Sequence, residues 1–107
     1  MTRQSEYDAA YFTLLRAREE LSHLLRYQEF LEEELARLAT FATALDEASS
    51  VVPRKFRKMV DSTDKQVLEA LGRRRAIVLS ERQKVPQRIA DQEAFVGECE
   101  QDVAALR

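Results

Sequence analysis

Two glycines, two prolines, one cysteine, one histidine and no tryptophan occur among the 107 residues. So little glycine and proline argues against a β-sandwich, whose frequent tight turns draw on both, and favours long uninterrupted helices. Cys99 can close no internal disulfide, and with His23 as the single histidine no Cys/His metal set assembles, so no metal and no resident cofactor is expected. No apolar run approaches the roughly 18 residues of a membrane-spanning helix. The opening MTRQSEYDAA lacks the charged-then-apolar order of a secretory signal, and a cytoplasmic chain is expected. His23 falls on a solvent-facing heptad position with no nucleophile or acid patterned around it, so no catalytic residue is assigned and an enzyme is not expected.

Hydrophobic residues make up 45% of the chain and charged residues 34%, and the apolar ones are strongly periodic. With heptad position a at Tyr7, Leu14, Leu21, Gln28, Leu35 and Ala42, and d at Ala10, Ala17, Leu24, Leu31, Leu38 and Leu45, eleven of twelve seam positions are apolar. No Gly or Pro interrupts this stretch, and Ser5 with Asp8 offers a helix start. The segment Ser49–Pro53 stops the helix, because the residue before proline leaves the helical region and Ser, Val and Val are weak helix formers.

Pro53 can open a short helical piece over Arg54–Val60, and Thr63 with Gln66 fits a capping box for a second long helix. There, a at Leu68, Arg75, Arg82, Ile89, Val96 and Val103, and d at Leu71, Val78, Val85, Gln92, Cys99 and Leu106, leave nine of twelve apolar. Pro86 removes a backbone hydrogen bond inside this run and predicts a kink near residues 82–86, with Gly72 a second soft spot. The expected fold is all-α: a helix over about 5–48, a turn with a short helix over about 49–62, and a helix over about 63–106. The two helices, each about 60 Å long, form one antiparallel coiled-coil hairpin. If the chain reverses near residue 56, Gln28 comes close to Arg82, a polar layer suited to fixing register.

Charge is segregated. Residues 1–50 carry a net −5, residues 51–88 a net +7 and residues 89–107 a net −4. The acidic run Glu32, Glu33 and Glu34 reads as a solvated helix face. The basic turn, Arg54, Lys55, Arg57 and Lys58 around Phe56, suits docking on an acidic protein surface. Apolar residues outside the seam, among them Phe30, Phe41 and Leu79, exceed what two helices can bury and call for further helices from a partner protein or a second copy. Three functions fit: a partner-binding hairpin, a structural homodimeric four-helix bundle, and, less in keeping with the net acidity, a nucleic-acid-binding hairpin gripping phosphates through its basic turn.

One polar stripe is less ordinary. Ser80, Gln83, Gln87 and Asp91 follow spacings of three, four and four and share a face of the second helix, and the same spacings pick out Ser22, Leu25, Glu29 and Glu33 on the first. A carboxylate such as Asp91 can accept both donors of a guanine edge, and an arginine can pair with phosphate or with O6 and N7.

The stretches ELSHLLRYQEFLEEEL and VLSERQKVPQRIAD resemble the paired motifs of the cyclic-di-GMP-responsive anti-sigma factors of the RsiG type, over about thirty residues. That motif runs glutamate, serine, arginine, glutamine, aspartate. Ser80, Gln87 and Asp91 match it, while Ala76 and Gln83 stand where glutamate and arginine belong and Arg82 is adjacent. On the first helix Ser22 matches, Glu33 replaces aspartate, and Arg26 lies next to the arginine position. The resemblance implies a helical hairpin that holds a WhiG/FliA-class sigma factor inactive, with cyclic-di-GMP as regulatory ligand bound by Ser80, Arg82, Gln83, Gln87 and Asp91 together with Ser22, Arg26 and Glu33.

Overall fold

The computed structural model describes residues 2–107. It is an all-α helical hairpin: α1 spans Arg3–Ser50, one turn of 3-10 helix covers Arg54–Phe56, and α2 spans Arg57–Ala105. No strand occurs among the described residues.

The helices start and stop where backbone groups find partners. α1 begins ahead of Ser5 because Thr2 is its cap: the Thr2 hydroxyl oxygen accepts the Ser5 amide at 3.2 Å. At the other end Arg57 reaches back, donating to the carbonyls of Val52 at 3.4 Å and Ser50 at 3.2 Å. A cation over the last carbonyls of a helix satisfies acceptors that have no partner within it and offsets the negative dipole end. The short helical piece expected after Pro53 is the 3-10 turn, closed by the Phe56 amide on the Pro53 carbonyl at 2.9 Å. That turn runs straight into α2, so the capping box at Thr63 does not form. The Thr63 hydroxyl instead donates to the Met59 carbonyl inside the helix. α2 also continues through Pro86 without interruption.

The chain packs as two compact units. The terminal unit pairs α1 up to Glu29 with α2 from Lys84, and the turn unit comprises Phe30–Gln83.

In the terminal unit Leu14, Ala17, Val96, Cys99 and Val103 form a buried cluster, flanked by Tyr7, Ala10 and Leu21. These are the a and d positions of both heptad patterns, and the antiparallel pairing is marked by Arg3 donating to the Arg107 carbonyl and by an Arg18–Glu100 ion pair at 3.5 Å. Gln92, a polar residue at d, donates its amide to the Ala17 carbonyl at 3.0 Å, which satisfies the buried end of the side chain. Burial first, and then the nearby Asp102 and Glu98, hold the Cys99 thiol above its ordinary pKa, consistent with a small apolar core residue.

The turn unit departs from expectation on α2. Leu31, Leu38 and Val78 are buried, and Val60, Asp64, Val67, Leu71 and Glu81 are half-buried, whereas the predicted a residues Leu68, Arg75 and Arg82 are exposed. Burying Arg75 and Arg82 would desolvate two guanidinium groups, so this half of α2 presents the neighbouring row to α1 instead. Arg82 consequently stays out of the seam. It pairs with Glu32, Nε to Oε1 at 2.7 Å. Along α2 the buried and half-buried positions include two successive steps of four, Glu81 to Val85 to Ile89, in place of alternating threes and fours. Such a stutter changes which row a helix buries, and it falls beside Pro86.

Candidate functional site

Glu34 is the buried charge of the turn unit, 5% exposed, although the run Glu32–Glu34 reads as a solvated face. Its neighbours Glu32 and Glu33 are exposed as expected. Two arginines hold the Glu34 carboxylate: Arg74 Nη2 to Oε1 at 2.9 Å from α2, and Arg37 Nη2 to Oε2 at 3.2 Å from the next turn of α1. Arg37 also lies 3.7 Å from Glu33. Burial pushes the Glu34 carboxyl up, but the hydrogen bonds and positive charges of Arg37 and Arg74 outweigh it, so its pKa lies below the usual 4.5. A folded-state pKa below the unfolded one contributes stability above the unfolded value and loses it as the pH falls through the folded value. Stability is therefore expected to drop as the pH falls below about 4.5, and Glu34→Gln should flatten that limb of a urea-midpoint-against-pH profile. An unchanged profile in the variant would remove Glu34 from the acid transition.

This cluster is bordered by exposed aromatic surface. Phe30 and Phe41 are eleven residues apart, three helical turns, and so share one face of α1 with Glu34 and Arg37 between them. Phe30 is 45% exposed and Phe41 55%, and the Arg37 guanidinium sits 5.4 Å from the Phe30 ring centre. On α2, Ile77 lies one turn beyond Arg74 and is 66% exposed. Two phenylalanines, an isoleucine and two arginines thus converge on one flank of the turn unit. The predicted partner residue Leu79 is half-buried, and its place one turn from Arg75 puts it on the other flank.

The basic turn is divided in its roles. Arg57 is exposed and also donates to the carbonyls of Ser50 and Val52, which makes it a cap for the end of α1. Arg54, Lys55 and Lys58 remain exposed, with the Lys55 ammonium 5.2 Å from the Phe56 ring centre.

The residues of the polar stripe, Ser80, Arg82, Gln83, Gln87 and Asp91 with Ser22, Arg26 and Glu33 on α1, are all exposed, and several hold one another. In the terminal unit Arg26 donates to the Ser22 hydroxyl at 3.3 Å, and Gln87 donates to Asp91 Oδ1 at 2.8 Å. In the turn unit Ser80 and Gln83 are exposed, Arg82 is paired with Glu32, and Glu33 with Arg37. A ligand recruiting Arg82 or Asp91 has to displace those contacts.

Among the described residues no group of three or more His, Cys, Asp or Glu is placed to hold a metal ion, and no helix is long and apolar enough to cross a membrane. Comparison with protein-family models, with curated proteins and with solved structures returns no match.

Proposed function

We propose that the chain is a non-enzymatic interaction hairpin that binds a helical protein through the Phe30–Phe41–Ile77 flank of its turn unit. In its specific form it is an anti-sigma factor sequestering a WhiG/FliA-class sigma factor. The observation that carries the reading is the exposure of these three large apolar side chains, 45%, 55% and 66%, around a fixed pair of arginines. Aromatic residues ringed by arginine are the composition of binding hot spots, where a few side chains supply most of the energy. The groups present at this flank supply shape and charge, as sequestration requires. Support for the sigma-factor identity and for cyclic-di-GMP control comes from the Ser80, Gln87 and Asp91 motif with Ser22 on the first helix. In that scheme the dinucleotide favours the partner-competent arrangement by binding it more tightly.

Co-elution of the full chain with a WhiG/FliA-class sigma factor, with and without cyclic-di-GMP, tests the proposal. A stable complex is expected, and Phe41→Ala should weaken it roughly tenfold or more, the scale of a buried aromatic hot spot. Absence of a complex under both conditions overturns the sigma-factor reading. A complex indifferent to the dinucleotide and to Asp91→Asn overturns the ligand control alone.

A further inference from the structure

The flank of the turn unit away from Phe30 and Phe41 is concave. Leu38, Ala42 and Leu45 of α1 and Leu68, Leu71 and Gly72 of α2 line a groove, and the part nearer the turn encloses about 610 Å³, room for side chains of another helix. A side chain added at Gly72 would meet nothing within 4 Å, so the wall there is open to close approach. Leu68, 49% exposed, is one of the a-position residues that α2 turns away from its own hairpin.

One row of residues along this groove is ordered in charge. Asp61, Leu68 and Arg75 lie seven residues apart on one row of α2, so Asp61 and Arg75 sit about 10 Å to either side of Leu68. Asp46 adds negative charge near Asp61, Lys65 and Glu69 flank Leu68 on its two sides, and Arg75 closes the far end. Neither Asp61 nor Arg75 has an ion pair among the described residues. Read in reverse, this row is its own complement: negative, apolar, positive against positive, apolar, negative. A surface that complements itself on reversal fits a twofold axis, the commonest arrangement of two identical chains.

We infer that this groove is a homodimer interface, in which a second copy of the chain packs antiparallel with Leu68 against Leu68 at the axis and Asp61 of each copy against Arg75 of the other. The apolar groove supplies the burial, and the two symmetry-related charge pairs set the direction. A parallel arrangement would bring Asp61 onto Asp61 and Arg75 onto Arg75, and like charges so placed disfavour it. The dimer leaves the Phe30–Phe41–Ile77 flank uncovered, so dimer formation and partner binding are separable.

Sedimentation equilibrium of the full chain at tens of micromolar tests the inference. The wild-type chain is expected to be a dimer. Asp61→Arg alone and Arg75→Asp alone should each weaken it roughly tenfold, because each converts two attractions into two repulsions. An equimolar mixture of the two variants should recover wild-type affinity, since the heterodimer restores both opposite-charge pairs. Both positions are exposed, and unchanged far-ultraviolet circular dichroism establishes that the variants keep their helices. A monomeric wild type, a dimer that neither charge change weakens, or a mixture that fails to recover affinity overturns the proposal. Phe41→Ala should leave the dimer intact while weakening the partner complex, so failure of one reading is distinguishable from failure of the other.

Discussion

Leu31→Ala is expected to lower the unfolding free energy by about 2–4 kcal/mol, the usual cost of removing three carbons from a closely packed site together with the cavity left behind. Leu31 is 3% exposed and stands at a d position of α1, among the most buried side chains of the turn unit. With a urea slope of about 1–3 kcal/mol/M for a domain of this size, the midpoint should fall by roughly 1 M or more. Leu25→Ala is the internal control. Leu25 is 44% exposed, and its truncation should change stability by less than about 0.5 kcal/mol in the isolated protein. Equal costs at the two positions would mean that the seam does not carry the stability assigned to it.

Pro86→Ala should act in the opposite direction. Pro86 lies inside α2 on an exposed position, where it offers no amide to the preceding turn and its ring crowds the carbonyl four residues back. Alanine restores the hydrogen bond and is the best helix former, against a proline penalty of about 3 kcal/mol in a helix interior. Because α2 has already accommodated the ring, a gain of about 1–3 kcal/mol is expected, read by calorimetry as a melting temperature several degrees higher. A loss of stability would show that the ring contributes packing that outweighs the missing hydrogen bond.

Much of the hairpin was legible in the sequence, and what escaped did so for identifiable reasons. All twelve seam positions assigned to α1 are buried or half-buried, because a long stretch free of Gly and Pro leaves a single 3.5-residue rhythm to follow. The first half of α2 departs from that rhythm. A single heptad phase continued across the stutter at Glu81, Val85 and Ile89 places Arg75 and Arg82 in a seam they do not enter. At the helix ends Thr2 rather than Ser5 caps α1, and Thr63 lies inside α2 rather than at its start. Capping residues are common in both segments, and only the backbone geometry selects among them.

The site residues divide in the same way. Exposure of Phe30 and Phe41 follows from their heptad positions, whereas the commitment of Arg57 to the carbonyls of Ser50 and Val52 depends on how the turn folds back. The burial of Glu34 is not legible in the sequence because three consecutive glutamates look alike, and the buried one is distinguished by an arginine forty residues away.

The Glu34–Arg74 contact also works as an alignment key. If α2 slid by one heptad against α1, Arg74 would be replaced opposite Glu34 by Val67 in one direction or by Glu81 in the other. Either leaves the buried Glu34 carboxylate with Arg37 alone and a hydrocarbon or another acid opposite it, an arrangement disfavoured against the native one. The leucine repeat by itself tolerates such mis-threading, since every seven-residue offset superposes similar residues. One sealed acid and its distant arginine therefore discriminate among offsets to which the greasy positions are nearly blind.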